Sequence, residues 1–139
     1  MTARVLRLLG ELAAAIRDSA ARNFPAECCG LLEGAVAPDG WTVSAVCETA
    51  NLAEDPTHRF LVDPQAQFDA LRRLRNSSAR VIGCFHSHPA GRPEPSAVDR
   101  AQAFEPDFVW LIAGGTPDTG FVLRAYVYSD GDFFPIGLD

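Results

Sequence analysis

Val81-Ile-Gly-Cys-Phe85, followed at once by His86-Ser87-His88-Pro89, is the stretch that decides the fold. Its first five residues are a continuous apolar run, the mark of a strand buried on both faces. A second run of the same kind, Phe108–Ala113 (FVWLIA), lies downstream. Between the two come a Gly/Pro-rich loop and a helical segment from about Ser96 to Phe104. Buried strands interleaved with helices predict an α/β (α+β) chain, with a central mixed sheet flanked by helices.

Working outward, residues 3–8 (ARVLRL) read as a short first strand. From Gly10 to Arg22 the period turns helical, with Leu9, Leu12, Ile16 and Ala20 on one face and Ala13 beside them. Asn23 and Pro25 stop that helix. Residues 28–34 (CCGLLEG) form a strand, Pro38-Asp39-Gly40 a turn, and Trp41–Thr49 the alternating hairpin partner. His58–Val62 reads as another strand. Asp63 then caps a helix with Pro64 in its first turn, and Phe68, Leu71 and Leu74 supply its buried stripe. Phe121–Ser129 alternates as an outer strand, and Phe133–Leu138 closes the sheet.

The chain of 139 residues fits one domain, 1–139, long enough to bury a core. Its net charge of -6 argues against nucleic acid, which needs a basic face, and against docking on anionic lipid. All 12 basic side chains are Arg, so no Lys side chain can accept a ubiquitin-like modifier. The N-terminal segment is interrupted by Glu11, Arg17 and Asp18 and does not read as a signal peptide, and no apolar run reaches the length of a membrane span. A cytoplasmic protein is expected. Cys28, Cys29, Cys47 and Cys84 form no C-x-x-C pair and are expected as reduced, buried thiols. Homo-oligomers are compatible with the sequence, since Trp41, Trp110 and the Phe133-Phe134 pair suit either a core or a contact surface.

The chemistry sits at the end of the first buried run. His86 and His88 are two residues apart on a strand, so both imidazoles share a face and can chelate a divalent ion, for which zinc is well suited. A catalytic zinc takes three protein ligands and keeps one open position. Asp99 can be the third, on the first turn of a helix that Ser96 begins. Ser96-x-x-Asp99 is also a capping-box-like start that needs no metal, and the two roles are compatible. His58 has no partner at ligand spacing and reads as a surface residue. A zinc hydrolase also needs a base, and the residues alone leave Glu27, Glu33, Glu48 and Glu94 open.

Taken together, Pro25-Ala-Glu27-Cys-Cys-Gly30-Leu-Leu-Glu-Gly34, the His86-Ser-His-Pro89 block, Pro95-Ser96 and Asp99 at H-x-H-x(10)-D spacing resemble the JAMM (JAB/MPN+) zinc metalloprotease family in its compact prokaryotic branch. Agreement extends through Asn51, Phe60, Asp63-Pro64 and Phe108–Ala113, nearly the whole chain. The resemblance implies a JAB/MPN-like (cytidine-deaminase-like) sheet. It also implies one Zn2+ held by His86, His88 and Asp99, Glu27 as general acid/base, and Ser96 as the hydroxyl that hydrogen-bonds the oxyanion. Ser87, facing away, is expected to be structural.

That family cleaves peptide or isopeptide bonds, often at the C-terminus of ubiquitin-like proteins, and its compact members act on ubiquitin-like sulfur carriers. The implied substrate is therefore the extended C-terminal tail of such a carrier. Other readings predict different behaviour. A RadC-like JAB protein linked to DNA matches the loop Pro89–Ser96 but not Ser87 or the Glu27 block. A zinc nucleobase deaminase needs H-x-E and P-C-x-x-C, which are absent. A non-catalytic MPN scaffold binding a ubiquitin-like partner would not need all five positions filled.

Overall fold

The computed structural model describes residues 4–139. Among these, the elements run β1 (Val5–Arg7), α1 (Gly10–Asn23), β2 (Cys29–Ala37), β3 (Gly40–Thr49), α2 (Pro64–Arg73), β4 (Arg80–Pro89), α3 (Ala97–Gln102), β5 (Phe108–Thr116), β6 (Gly120–Ser129) and β7 (Asp132–Leu138). The expected first strand is β1; Ala3 lies outside the described residues. The strands stand in the order β1-β3-β2-β4-β5-β6-β7, and β1 also pairs β7, so the sheet curls until it closes. The sheet is mixed. β4 and β5 are parallel, with Phe85 opposite Leu111, while β2 pairs both β3 and β4 antiparallel.

Parallel neighbours cannot be joined by a tight turn. Residues 90–107 must therefore cross over the sheet, and this crossover carries α3 and Asp99 back over the end of β4. Ile82 is an extra residue on β4: Val81 pairs Glu33 and Gly83 pairs Leu32. The bulge resets the alternation. As a result Ile82 and Phe85 enter the core under α1, while Val81 and Cys84 join a second cluster with Phe60, Val62 and Trp110 on the opposite side.

Four expectations are corrected. His58–Val62 is not a strand; Val62 makes only an isolated bridge to Asn51. The Asn51 side chain takes the Leu61 N–H and the Arg59 carbonyl, groups a neighbouring strand would otherwise engage. The stripe of α2 is not buried: Phe68 is 57% and Leu71 63% exposed, and Leu74 is only half-buried. That helix packs instead through the small Ala70 and through Arg73, which donates to Glu33 at 2.6 and 3.0 Å. Leu9 is the exposed N-cap of α1, outside the helical register, whereas Ile16 and Ala20 are buried as expected. Finally, β6 is an inner strand between β5 and β7.

Trp41, Trp110 and Phe133 are core residues, while Phe134 is exposed. The four cysteines are free, and three are buried. No described helix is long and apolar enough to cross a membrane. The expected cap of α2 is present, with the Gln65 N–H donating to Asp63 at 2.9 Å. Asp63→Ala should lower stability by about 1 kcal/mol, measured by urea denaturation; an unchanged midpoint would show that the cap contributes nothing.

Candidate metal centre

β4 ends in the two histidines, and alternation puts both rings on the face bearing Phe60 and Trp110. His86 Nε2 and His88 Nε2 are 3.1 Å apart, and Asp99 Oδ2 lies 3.2 Å from the first and 3.1 Å from the second. His86 is fully buried and Asp99 nearly so. Two imidazole nitrogens and a carboxylate oxygen this close repel one another unless a proton or a cation lies among them. A tetrahedral zinc with bonds of about 2.0–2.1 Å has donors about 3.3 Å apart, so the triangle has the size of one face of such a site.

Each donor is fixed by its local structure. Asp99 is the N3 residue of α3: its Oδ2 accepts from the Ser96 N–H at 2.9 Å, and its own N–H donates to Ser96 Oγ at 3.1 Å. The capping box and the candidate ligand are therefore the same carboxylate, and the Ser96 hydroxyl proton stays free to donate. His88 Nδ1 lies 2.9 Å from the Arg92 carbonyl; donating its proton there turns a lone pair on Nε2 toward the centre. Arg92 can come this close because β5 carries Gly114, whose missing Cβ would meet the Arg92–Pro93 backbone at 2.5–2.6 Å. Tyr126 pins the same loop by donating to the Pro93 carbonyl at 2.8 Å. His86 has no hydrogen-bond partner on Nδ1 among the described residues; its ring is set by stacking on Phe60, 4.2 Å away and nearly parallel, and by the edge of Trp110.

Glu27 precedes β2 and is 5% exposed. Glu27, His86 and His88 offer donor atoms mutually within 4.8 Å, so two carboxylates, Glu27 and Asp99, are candidates to join the histidines around a metal. Asp99 is much the closer fit, touching both nitrogens. Glu27 Oε1 is buried without a hydrogen-bond partner, as suits an oxygen that meets a non-protein group beside the cluster. The other carboxylates are elsewhere: Glu33 pairs Arg73, Glu48 accepts from Ser19 and Arg22, and Glu94 is exposed. Of the four acids left open by the sequence, the fold brings only Glu27 to the histidines. Ser87 points to the opposite face, where its Oγ accepts from the Cys28 N–H at 2.8 Å, the structural role expected. His58 is exposed beside Asp55.

Burial pushes the Glu27 carboxyl up to about 8, against the pull of His88 and with added repulsion from Asp99. Burial would raise Asp99 as well, but its contacts with His86, His88 and the Ser96 N–H hold it well below the usual carboxylate range. Burial lowers His86; in His88 it is outweighed by Asp99 and the Arg92 carbonyl, which raise that ring.

One consequence is measurable in metal-free protein. A carboxyl raised to about 8 keeps its proton in the folded chain after the unfolded chain has lost it. Stability therefore falls as pH rises from the ordinary carboxyl range to about 8, and the deficit is complete above that. Glu27→Gln removes the titration. Metal-free Tm of the variant should exceed the parent's at about pH 9 and match it at about pH 4. Parallel Tm profiles would contradict the raised carboxyl.

Residues 10–126 match the Prok-JAB family, prokaryotic homologs of the JAB domain. The chain belongs to this family. The JAB domain is 37% identical over 102 residues to the desampylase of Haloferax volcanii, covering 73% of this chain and 70% of that protein. It is 28% identical over 130 residues to the CysO-cysteine peptidase of Mycobacterium tuberculosis, covering 94% and 87%. The solution structure of a Desulfitobacterium hafniense protein superposes with a TM-score of 0.85 at 29% identity, covering 96% of this chain and 91% of that one.

Beside the centre, on the Trp110 side of His86, an apolar groove of about 450 Å³ runs between α2 and α3. Phe60, Leu61, Leu71, Phe104, Phe108 and Trp110 are among its lining residues, and Phe104 is 84% exposed. The sequence had suggested a buried stripe on α2; Leu71 of that stripe instead lines this groove. Asn51, Phe60, Tyr126 and the Arg92 carbonyl support the site without carrying any local motif of their own. For Asn51 and Phe60 the only sequence signal was the family resemblance.

Proposed function

We propose that this JAB domain is a zinc-dependent hydrolase that cleaves a peptide or isopeptide bond following the C-terminus of a ubiquitin-like sulfur carrier. The observation that carries the reading is the convergence of His86 Nε2, His88 Nε2 and Asp99 Oδ2 at 3.1–3.2 Å, next to a buried, unpartnered Glu27 carboxylate. Two imidazoles and one carboxylate suit zinc. The relatives named desampylase and CysO-cysteine peptidase support the substrate class.

His86, His88 and Asp99 would hold the zinc, which would supply Lewis acidity toward the scissile carbonyl and toward water. The work of the chain's own groups follows from their positions. Glu27 takes a proton from the attacking water and returns it to the departing amine. Its burial suits both halves of that cycle, because a base whose pKa lies near the working pH can also release the proton. The Ser96 hydroxyl, whose oxygen already accepts from the Asp99 N–H, donates a hydrogen bond to the oxyanion. The apolar groove beside His86 offers a protein substrate a seat near the reacting bond.

The test uses ubiquitin-like sulfur carriers extended at the C-terminus by one cysteine or by a short peptide. Incubation with and without a chelator, followed by mass spectrometry, should show release of the extension, loss of cleavage with chelator and recovery with zinc. Absence of chelator-sensitive cleavage from every carrier would eliminate this substrate class.

A further inference from the structure

We propose that Asn51 is a positioning residue that fixes Glu27 over the His86–His88–Asp99 cluster, an inference that rests on the functional reading above. Glu27 belongs to neither α1 nor β2, yet it is buried. Its Oε1 has no hydrogen-bond partner among the described residues, so its aim depends on the backbone. That backbone is tied on both sides. The Glu27 N–H donates to the Pro56 carbonyl at 2.7 Å, and Asn51 Nδ2 donates to the Glu27 carbonyl at 3.0 Å. The next residue is locked to the histidine strand: the Cys28 N–H donates to Ser87 Oγ, and the Ser87 N–H donates to the Cys28 carbonyl.

Asn51 spends its full amide capacity here. Its second Nδ2 hydrogen goes to the Arg59 carbonyl at 2.9 Å, and its Oδ1 accepts from the Ala53 and Leu61 N–H groups, each at 3.0 Å. The acceptor contacts and the Arg59 bond fold residues 51–61 into one unit. The bond to Glu27 does something else: it fastens that unit, together with Pro56, to the backbone of the base. An asparagine that merely closed a loop would not need it. The same segment also delivers Phe60 onto the His86 ring, so an effect through the metal ligand is the competing route and must be separated.

Asn51→Asp keeps the acceptor for Ala53 and Leu61 while setting an oxygen against both the Glu27 and Arg59 carbonyls, so exchange at Leu61, beside the lost Arg59 bond, separates loosening of the segment from release of Glu27. Asn51→Ala, which loses both functions, is the second variant should the first fold poorly. Three quantities are compared with the parent: amide hydrogen exchange at Glu27 and Leu61, zinc affinity by competition with a chromophoric chelator, and kcat and KM on the carrier–cysteine probe. In Asn51→Asp, Glu27 exchange should rise by about tenfold or more while Leu61 stays protected. Zinc affinity should stay within about threefold, well short of the loss expected from a damaged ligand shell. The kcat should fall by roughly 10- to 100-fold with KM little changed, as expected of a misplaced catalytic group. Unchanged Glu27 exchange in both variants, unchanged kcat, or zinc affinity falling in step with kcat would each overturn the proposal. A parent protein inert on the probe counts against the proposed function instead; the exchange comparison needs neither zinc nor substrate and still decides whether Asn51 holds Glu27.

Discussion

Glu27→Gln is expected to lower turnover of a carrier–cysteine substrate by about 10²–10⁴-fold while the protein still binds one zinc ion per chain. Glutamine keeps the size of the side chain and can occupy the same buried position, but it cannot accept and return a proton. The geometry sets this residue apart from the proposed ligands: Asp99 Oδ2 touches both imidazole nitrogens, whereas Glu27 Oε1 has no hydrogen-bond partner among the described residues. Metal content by atomic absorption and kcat on the same preparation give the answer. Zinc loss in Glu27→Gln would reassign this carboxylate as a ligand, and full turnover would remove it from the reaction.

Asp99→Ala should have the complementary effect, a fall in zinc affinity of more than about 100-fold, since it removes one of the three proposed ligands where losing a supporting contact alone costs about 10–100-fold. Activity should disappear at ordinary zinc concentrations. The substitution also opens the capping box, removing the partner of the Ser96 N–H, so α3 should lose about 1 kcal/mol of stability whether or not metal is present. Titration of zinc against a competing chelator, with metal-free Tm measured alongside, separates the two losses. Unaltered zinc affinity would show that Glu27 completes the site in place of Asp99.

The fold was legible where periodicity and burial agree. The runs at 81–85 and 108–113 became the parallel pair β4 and β5, the Pro38–Gly40 turn joined β2 to β3, and Asp63-Pro64 began α2. It was misleading where a side chain replaced a backbone partner. Residues 58–62 have strand-like composition, but the Asn51 amide takes the Arg59 carbonyl and the Leu61 N–H, and only an isolated bridge forms. Residues Phe68 and Leu71 have a helical period that normally signals burial; here α2 is anchored by Ala70 and the Arg73–Glu33 pair, which leaves its larger apolar side chains exposed.

By itself the sequence determined that His86 and His88 share a face, because strand alternation is local, and that Ser96 and Asp99 begin a helix, because capping is local too. Family resemblance carried the rest of the expected site. Residue types and spacing left open which acid joins the histidines, and it is the tertiary structure that brings one of them there. Glu27, Glu33, Glu48 and Glu94 are equivalent as residue types, and only the antiparallel pairing of β2 with β4, with Cys29 opposite His86, sets the first of them beside the cluster. It likewise decided what holds each group in place: Phe60 against His86, the Arg92 carbonyl against His88, and Asn51 against Glu27. Those contacts join residues far apart in the chain or depend on backbone atoms common to all residues, so no local pattern of side chains encodes them.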